Sequence, residues 1–91
     1  MPAVTIEWKR TNEEGVREQV LAERIGEEWT IHRREKRFDR WKVDEDPPLD
    51  DLLELLDGVR RRIGRGLLRK DEEARVVTLI RRKFPDASIP R

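Results

Sequence analysis

The sequence feature that most limits the fold is an amphipathic segment that follows two consecutive prolines, Pro47 and Pro48. Proline is well tolerated where a helix begins, and Gly64 and Gly66 each weaken a helix interior by roughly 1 kcal/mol relative to alanine. We therefore predict a helix that begins after Pro48, ends near Gly64 to Gly66, and buries one side against another element. The apolar residues of that side lie within roughly 160° of a helical projection: Leu49, Leu52, Leu53, Leu55, Leu56, Val59, Ile63 and Leu67.

A second apolar stripe, narrower than the first, precedes Pro85. Asp71 suits the N-cap position of a helix, and Glu72 and Glu73 would then lie in its first turn, where acidic side chains are favourable. The two stripes together predict a helical hairpin in the second half of the chain. The second stripe consists of Val76, Val77, Ile80 and Phe84.

The first half of the chain has the period-two pattern of β-strands. Val4, Ile6 and Trp8 alternate with polar residues, which predicts a half-buried strand. Residues 12–25 are ambiguous, because Thr11 and Glu14 also have the spacing of a helix capping box. A helical projection of this segment scatters its four large apolar residues over opposite sides, which favours a strand: Val16, Val20, Leu21 and Ile25.

Two hairpins would align the apolar residues of the remaining strands. A turn at Ile25-Gly26 and a second turn about Lys36 place apolar residues opposite one another. The second turn lacks the Gly or Asn of a tight hairpin, so we expect a longer or irregular loop there. In this register the tryptophans of the last two strands face the core. The expected pairs are Val4 with Val20, Ile6 with Glu18, Ala22 with Trp29, Val20 with Ile31, Glu18 with Arg33, Trp29 with Val43, and Ile31 with Trp41.

These elements predict an α+β fold, a four-stranded antiparallel meander followed by two C-terminal helices packed on one face of the sheet. A helix at residues 12–25 gives the alternative order βαββαα. Residues 1–86 are expected to form a single small domain, and residues 87–91 a flexible tail.

Composition limits the chemistry that the chain can perform. The sequence has no cysteine, no tyrosine, one histidine and one serine, so a nucleophile with its base and orienting group can hardly be assembled. The lack of cysteine also excludes disulfides and cysteine-rich zinc sites. No apolar run reaches membrane-spanning length, and the first residues lack a signal-peptide pattern. We expect a non-enzymatic, cytoplasmic domain with no cofactor, metal site or membrane association.

Five acidic residues surround the start of the first predicted helix. Carboxylates at this density could act as acid and base or bind a hard cation. The simpler interpretation is that they complement the positive end of the helix dipole. The residues are Asp44, Glu45, Asp46, Asp50 and Asp51.

Charged residues make up 45% of the chain, but 21 basic and 20 acidic side chains leave a net charge of only +1. Nucleic-acid binding would therefore require local segregation of charge. Two basic surfaces are candidates for phosphate contacts, the solvent-facing side of the sheet and the polar side of the second helix. In the expected register the tryptophans face away from the solvent-facing side of the sheet, so this surface lacks a platform for stacking bases. The candidate residues are Arg17, His32, Arg34, Lys36, Arg40 and Lys42 on the sheet, and Arg75 and Arg82 on the helix.

Several apolar residues have no expected burial site. Leu21 and Ile25 fall on the outer face of the predicted sheet, and Leu68 and Leu79 fall off the stripes of their helices. The first and last strands are edges that could pair with another chain. The leading hypothesis is therefore a protein-interaction or accessory domain, able to bind an unknown protein or a second copy of itself. The alternative is weak, sequence-independent binding of nucleic acid.

Overall fold

The computed structural model describes residues 4–91 and confirms the α+β fold. A four-stranded antiparallel sheet in the order β1-β2-β3-β4 is followed by two helices. Because β2 covers most of residues 12–25, the helical alternative for that segment is wrong. The elements are β1 (Val4–Thr11), β2 (Arg17–Ile25), β3 (Glu28–Arg34), β4 (Lys42–Val43), α1 (Leu49–Gly64) and α2 (Asp71–Lys83).

The chain divides into two compact units, one ending at Pro47 and the other beginning at Pro48. We call them the sheet unit and the helical unit, and each is described by itself. The expectation of a single domain over residues 1–86, with helices packed on one face of the sheet, stays a prediction.

A short loop around Asn12 joins β1 to β2. The Asn12 side-chain Oδ1 accepts hydrogen bonds from the backbone N–H groups of Glu14 (2.9 Å) and Val16 (3.0 Å), and the Asn12 N–H donates to the Val16 carbonyl at 2.8 Å. This loop allows β1 to continue to Thr11 and sets Ile6 opposite Ala22, where the sequence pattern had predicted Glu18. The register differs by an even number of residues, so every side chain keeps its predicted face.

The turn between β2 and β3 is formed by Gly26 and Glu27, one residue later than predicted. Gly26 has φ 63 and Glu27 has no positive φ, as a type II′ hairpin turn requires. Ala22 consequently lies opposite Ile31 instead of Trp29, which is again an even shift that preserves the faces. One face of the sheet is buried, through Ile6, Val20, Ala22, Trp29 and Ile31.

The predicted register of β4 is wrong by an odd number of residues. Val43 lies opposite His32, and Lys42 lies opposite Arg33, whereas the expected pairs were Trp29 with Val43 and Ile31 with Trp41. An odd shift exchanges the two faces of a strand. Val43 therefore lies on the open face, and Lys42 does not.

Two contacts of Asp39 explain this register. Its carboxylate accepts a hydrogen bond from the Lys36 N–H at 3.1 Å, and its own N–H donates to the Lys36 carbonyl at 2.9 Å. The turn is thus closed by an Asp side chain where no Gly or Asn is present. Beyond β4, the Asp44 N–H donates to the Ile31 carbonyl at 2.8 Å and fixes the pairing.

The helical unit begins with the best-predicted element. Helix α1 buries four of the eight residues of its predicted stripe and ends in a Schellman motif. There Gly66, at φ 74, donates its N–H to the Ile63 carbonyl at 3.0 Å, and Leu67 donates to the Arg62 carbonyl at 2.8 Å. Leu67 lies beyond the helix and is exposed, so its assignment to the stripe was wrong. The fully buried positions of α1 include Leu52, Leu55, Leu56 and Val59.

Helix α2 begins one residue earlier than predicted, because Asp71 is its first residue and Lys70 takes the N-cap position. Leu79 is only 8% exposed and is buried together with Val76 and Ile80, so the expectation that it lies off the buried stripe was wrong. An ion pair between Arg60 Nε and Glu73 Oε2, 2.6 Å long, joins the two helices. The predicted mobility of residues 87–91 stays a prediction, although the Pro90 carbonyl accepts a hydrogen bond from Arg60.

Candidate interaction surface

The open face of the sheet, which we call the outer face, carries the side chains that alternate with the buried ones. Its cross-strand rows follow from the register of the sheet. One row runs from Glu7 through Leu21 and His32 to Val43. The row beside it begins at Lys9, continues through Gln19 and Arg34, and extends to Trp41, which precedes β4 in the same register.

Arg34 is held on the outer face by contacts with two other side chains. Its guanidinium carbon lies 4.0 Å from the centroid of the Trp41 ring, a cation–π contact worth about 0.5–1 kcal/mol at an exposed position. Its Nε donates a 2.7 Å hydrogen bond to Gln19 Oε1. These contacts hold Trp41 against the sheet with its indole half-buried. A side chain fixed in this way loses little further entropy when it contacts a partner.

Beyond the exposed Glu7 on β1, the adjacent row is apolar except for a shielded imidazole. Val43 is 57% exposed, and Leu21 and His32 are half-buried. Among residues 4–91, His32 Nε2 is buried and has no hydrogen-bond partner, and its cross-strand neighbours on the outer face are Leu21 and Val43. The outer face thus contains Leu21, Val43 and Trp41 together with an ordered arginine. Aromatic residues and arginine are enriched in protein interfaces and dominate their binding energy.

The loop between β3 and β4 has a different character. Phe38 is 94% exposed, and Lys36, Arg37 and Arg40 surround it in sequence and are all exposed. Because Asp39 is engaged in closing the turn, the loop displays an aromatic ring flanked by three cations. We call residues 36–40 the basic loop.

The structure separates the predicted nucleic-acid residues of the sheet unit into three groups. Arg17, His32 and Arg34 lie on the outer face, whereas Lys36 and Arg40 lie in the basic loop. Lys42 lies on the opposite face, beside Arg33, because of the odd shift in β4. The outer face also carries Glu7 and Glu23, so its charge is mixed.

The predicted residues of the helical unit are arranged more simply. Arg75 Nη1 lies 3.1 Å from Glu72 Oε1, an ion pair one turn apart on α2. Arg82 is exposed near the end of α2, where basic residues complement the helix dipole.

The four predicted interface residues also have different environments. Ile25 is 62% exposed at the end of β2, and Leu21 is half-buried on the outer face. Leu68 is half-buried after α1, whereas Leu79 is buried within the chain and offers no surface to a partner. Sequence reasoning missed Trp41 and Val43, because their face depended on the β4 register. The signal that could have placed Trp41 on the outer face is Arg34, seven residues earlier, because its guanidinium stacks on the Trp41 ring.

The acidic residues around the start of α1 do not form one cluster. Asp44 accepts a hydrogen bond from the Asp46 N–H at 3.2 Å and lies 4.0 Å from Arg33, so it belongs to the sheet unit. Asp50 and Asp51 lie in the first turn of α1, as the dipole interpretation predicts. Within residues 4–91, no three His, Asp or Glu side chains come close enough to hold a metal ion.

Comparisons with protein-family models, with curated proteins and with solved structures gave no match to this chain. Neither helix in the part of the chain that the structure describes is long and apolar enough to cross a membrane.

Proposed function

We propose that this chain is a non-catalytic domain that binds another protein through the outer face of its sheet. The observation that supports this function best is the patch formed by Val43, Leu21 and the Arg34–Trp41 pair. Large apolar side chains and an ordered arginine on an open sheet face match the composition of interface centres. The presence of only one histidine and one serine, with no cysteine or tyrosine, supports a binding function, and a cytoplasmic location accords with the absence of cysteine.

A site-specific photo-crosslinker tests this proposal, because β4 offers two adjacent positions on opposite faces. A benzophenone side chain at position 43 would project from the outer face, and the same group at position 42 would project from the other face. In cells that produce the protein, we expect crosslinks to one defined protein from position 43 and none to that protein from position 42.

The variant Trp41→Ala supplies the energetic control. Loss of the indole removes the surface against which Arg34 is ordered, and loss of a central interface aromatic typically weakens binding by about 2 kcal/mol, or roughly 30-fold. The crosslink from position 43 should then decrease strongly. Equal crosslinking from positions 42 and 43, or a yield that Trp41→Ala leaves unchanged, contradicts the outer face as the binding surface.

A second candidate function, binding of single-stranded nucleic acid, is favoured by the basic loop. Phe38 could stack on a base, while Lys36, Arg37 and Arg40 contact phosphates. This arrangement supplies the aromatic group that the sequence-predicted outer face lacked.

Salt dependence distinguishes this second function from apolar protein binding. Three phosphate contacts to a single strand give a slope of about −2 in log affinity against log salt, or a loss of roughly 20-fold between 50 and 200 mM salt. We expect this loss in the fluorescence anisotropy of a labelled 20-nucleotide strand, and we expect Phe38→Ser to weaken binding at both salt concentrations. An affinity that does not change with salt or with Phe38→Ser contradicts nucleic-acid binding by this loop.

A further inference from the structure

Strand β1 is an open edge of the sheet, and it spans the eight residues Val4–Thr11. An edge of this length presents a row of backbone groups to which another strand can add. The other edge strand, β4, has only two residues. Strand addition at β1 would therefore bury far more backbone than addition at β4.

The hydrogen-bond pattern shows which residues of β1 direct their backbone N–H and C=O groups to the open edge. Opposed residues of an antiparallel pair alternate between pairs that exchange backbone hydrogen bonds and pairs that do not. The bond from the Asn12 N–H to the Val16 carbonyl marks Asn12–Val16 as a bonded pair. The even-numbered residues of β1 therefore bond to β2, and the odd-numbered ones direct their N–H and C=O groups to the open edge. Those residues are Thr5, Glu7, Lys9 and Thr11, all exposed.

The charges along this edge are complementary to those of a second copy. Two β1 strands can pair antiparallel about a twofold axis, which makes the contact isologous. An axis at Glu7 or at Lys9 would place like charges opposite each other, which is destabilising. An axis at Trp8 instead places Glu7 opposite the second copy's Lys9, twice. No ion pair or hydrogen bond among residues 4–91 involves the side chain of either residue, so both are available for this pairing.

We infer that β1 is a homodimerisation edge, with the twofold axis at Trp8. Thr5 then lies opposite Thr11 of the second copy. The Thr5–Thr11 and Glu7–Lys9 pairs each occur twice, and together they form about eight backbone hydrogen bonds between the two strands. The two sheets join into one eight-stranded sheet, and the two outer faces lie on the same side of it. This inference concerns the backbone edge of β1, whereas the proposed protein-binding patch is formed by Leu21, Val43 and the Arg34–Trp41 pair, and it does not depend on that patch.

Charge reversal at the two positions tests the inference by sedimentation velocity at graded protein concentrations. Glu7→Lys places Lys opposite Lys twice, and Lys9→Glu places Glu opposite Glu twice. Each variant alone should weaken self-association by about tenfold or more, since like charges directly opposite one another are unfavourable. The double variant Glu7→Lys/Lys9→Glu restores both ion pairs and should associate like the original chain.

A mixture of the two single variants gives the most specific result. The Glu7→Lys chain presents two lysines, and the Lys9→Glu chain presents two glutamates. We therefore expect a heterodimer in the mixture that is at least tenfold tighter than either homodimer. Glu23→Lys, which alters the same outer face on the central strand β2, is the matched control and should leave self-association unchanged. Circular dichroism verifies that each variant keeps its fold.

Three results would overturn the inference. The first is an original chain that remains monomeric at millimolar concentration, in which case Glu7 and Lys9 only protect the edge from pairing. The second is a dimer that tolerates both single reversals, since another surface must then hold it. The third is a mixture that associates no better than its components. The crosslink from position 43 is measured in the chain with Glu7 and Lys9 unchanged, so failure here leaves the protein-binding proposal separately testable.

Discussion

Trp29→Ala should lower the free energy of unfolding by about 3–5 kcal/mol, the range found when a large buried aromatic side chain is truncated. Trp29 is 7% exposed and lies on the buried face of the sheet. Its removal leaves a cavity that the surrounding side chains fill only partly. The loss is measured by urea denaturation followed by far-UV circular dichroism, because the fluorescence signal itself comes from the tryptophans.

Trp41→Ala is the matched control, since the sequence predicted both tryptophans to face the core. In the structure Trp41 is half-buried on the outer face and stacks on Arg34. Its truncation forfeits the cation–π contact and some apolar contact area, so we expect a loss of about 1 kcal/mol. Equal losses from the two variants would mean that Trp41 lies opposite Ile31 on the buried face, and would contradict the β4 register.

The two tryptophans also show which parts of the fold the sequence could predict. Strand facing was predicted correctly in β1 and β3 from their alternation, and in β2 from its pairing with β3, although residues 12–25 were ambiguous by themselves. The exact pairs were not, because they depend on the Asn12 loop and on which residue of the turn between β2 and β3 takes a positive φ. Those errors were even shifts, and even shifts leave the faces correct.

Strand β4 had no such protection. Its two residues carry no periodic signal, and its register depends on the turn that Asp39 closes by a side-chain hydrogen bond. Half of the candidate surface was lost with it, because Trp41 and Val43 were assigned to the core. Leu21 and Ile25 were assigned correctly to the outer face, since the error in the β2–β3 register was an even shift.

The helices follow the same principle. The apolar stripe of α1 repeats over 16 residues, so it is recognisable even where a single position departs from the pattern. The two errors, Leu67 and Leu79, have separate causes. Leu67 continues the helical spacing beyond the Schellman motif that ends α1. Leu79 lies beside the predicted stripe of α2, which is broader than the four residues first assigned to it.

Arg10→Met should cost about 3 kcal/mol, because it removes the ionic partner of a buried carboxylate. Glu18 is 6% exposed, and its Oε1 lies 3.0 Å from Arg10 Nη1. The two groups are close but not aligned for a hydrogen bond, so the contact is chiefly electrostatic. Without Arg10, the Glu18 charge stays buried without this compensation.

The comparison variant is Arg33→Met, because the sequence pattern had paired Glu18 with Arg33. Arg33 instead approaches Asp44 at 4.0 Å, and its side chain is 49% exposed. Exposed ion pairs contribute about 0–1 kcal/mol. The loss of stability from Arg33→Met should therefore be roughly 2 kcal/mol smaller than the loss from Arg10→Met. A larger loss from Arg33→Met than from Arg10→Met would mean that Glu18 pairs with Arg33, as the sequence pattern predicted, and would contradict the position of Arg10 opposite Glu18.

A double-mutant cycle separates the ion pair from the packing of the Arg10 side chain. In Arg10→Met/Glu18→Leu both charges are replaced by apolar groups of similar size, and such replacements are often neutral or stabilising. We expect the double variant to unfold within about 1 kcal/mol of the original chain, despite the large loss from Arg10→Met alone. If the two single losses simply add, Arg10 stabilises the sheet through its other contacts. Recovery in the double variant instead means that Arg10 is required because Glu18 is charged and buried, which would make the pair a device for fixing the β1–β2 register rather than a net source of stability.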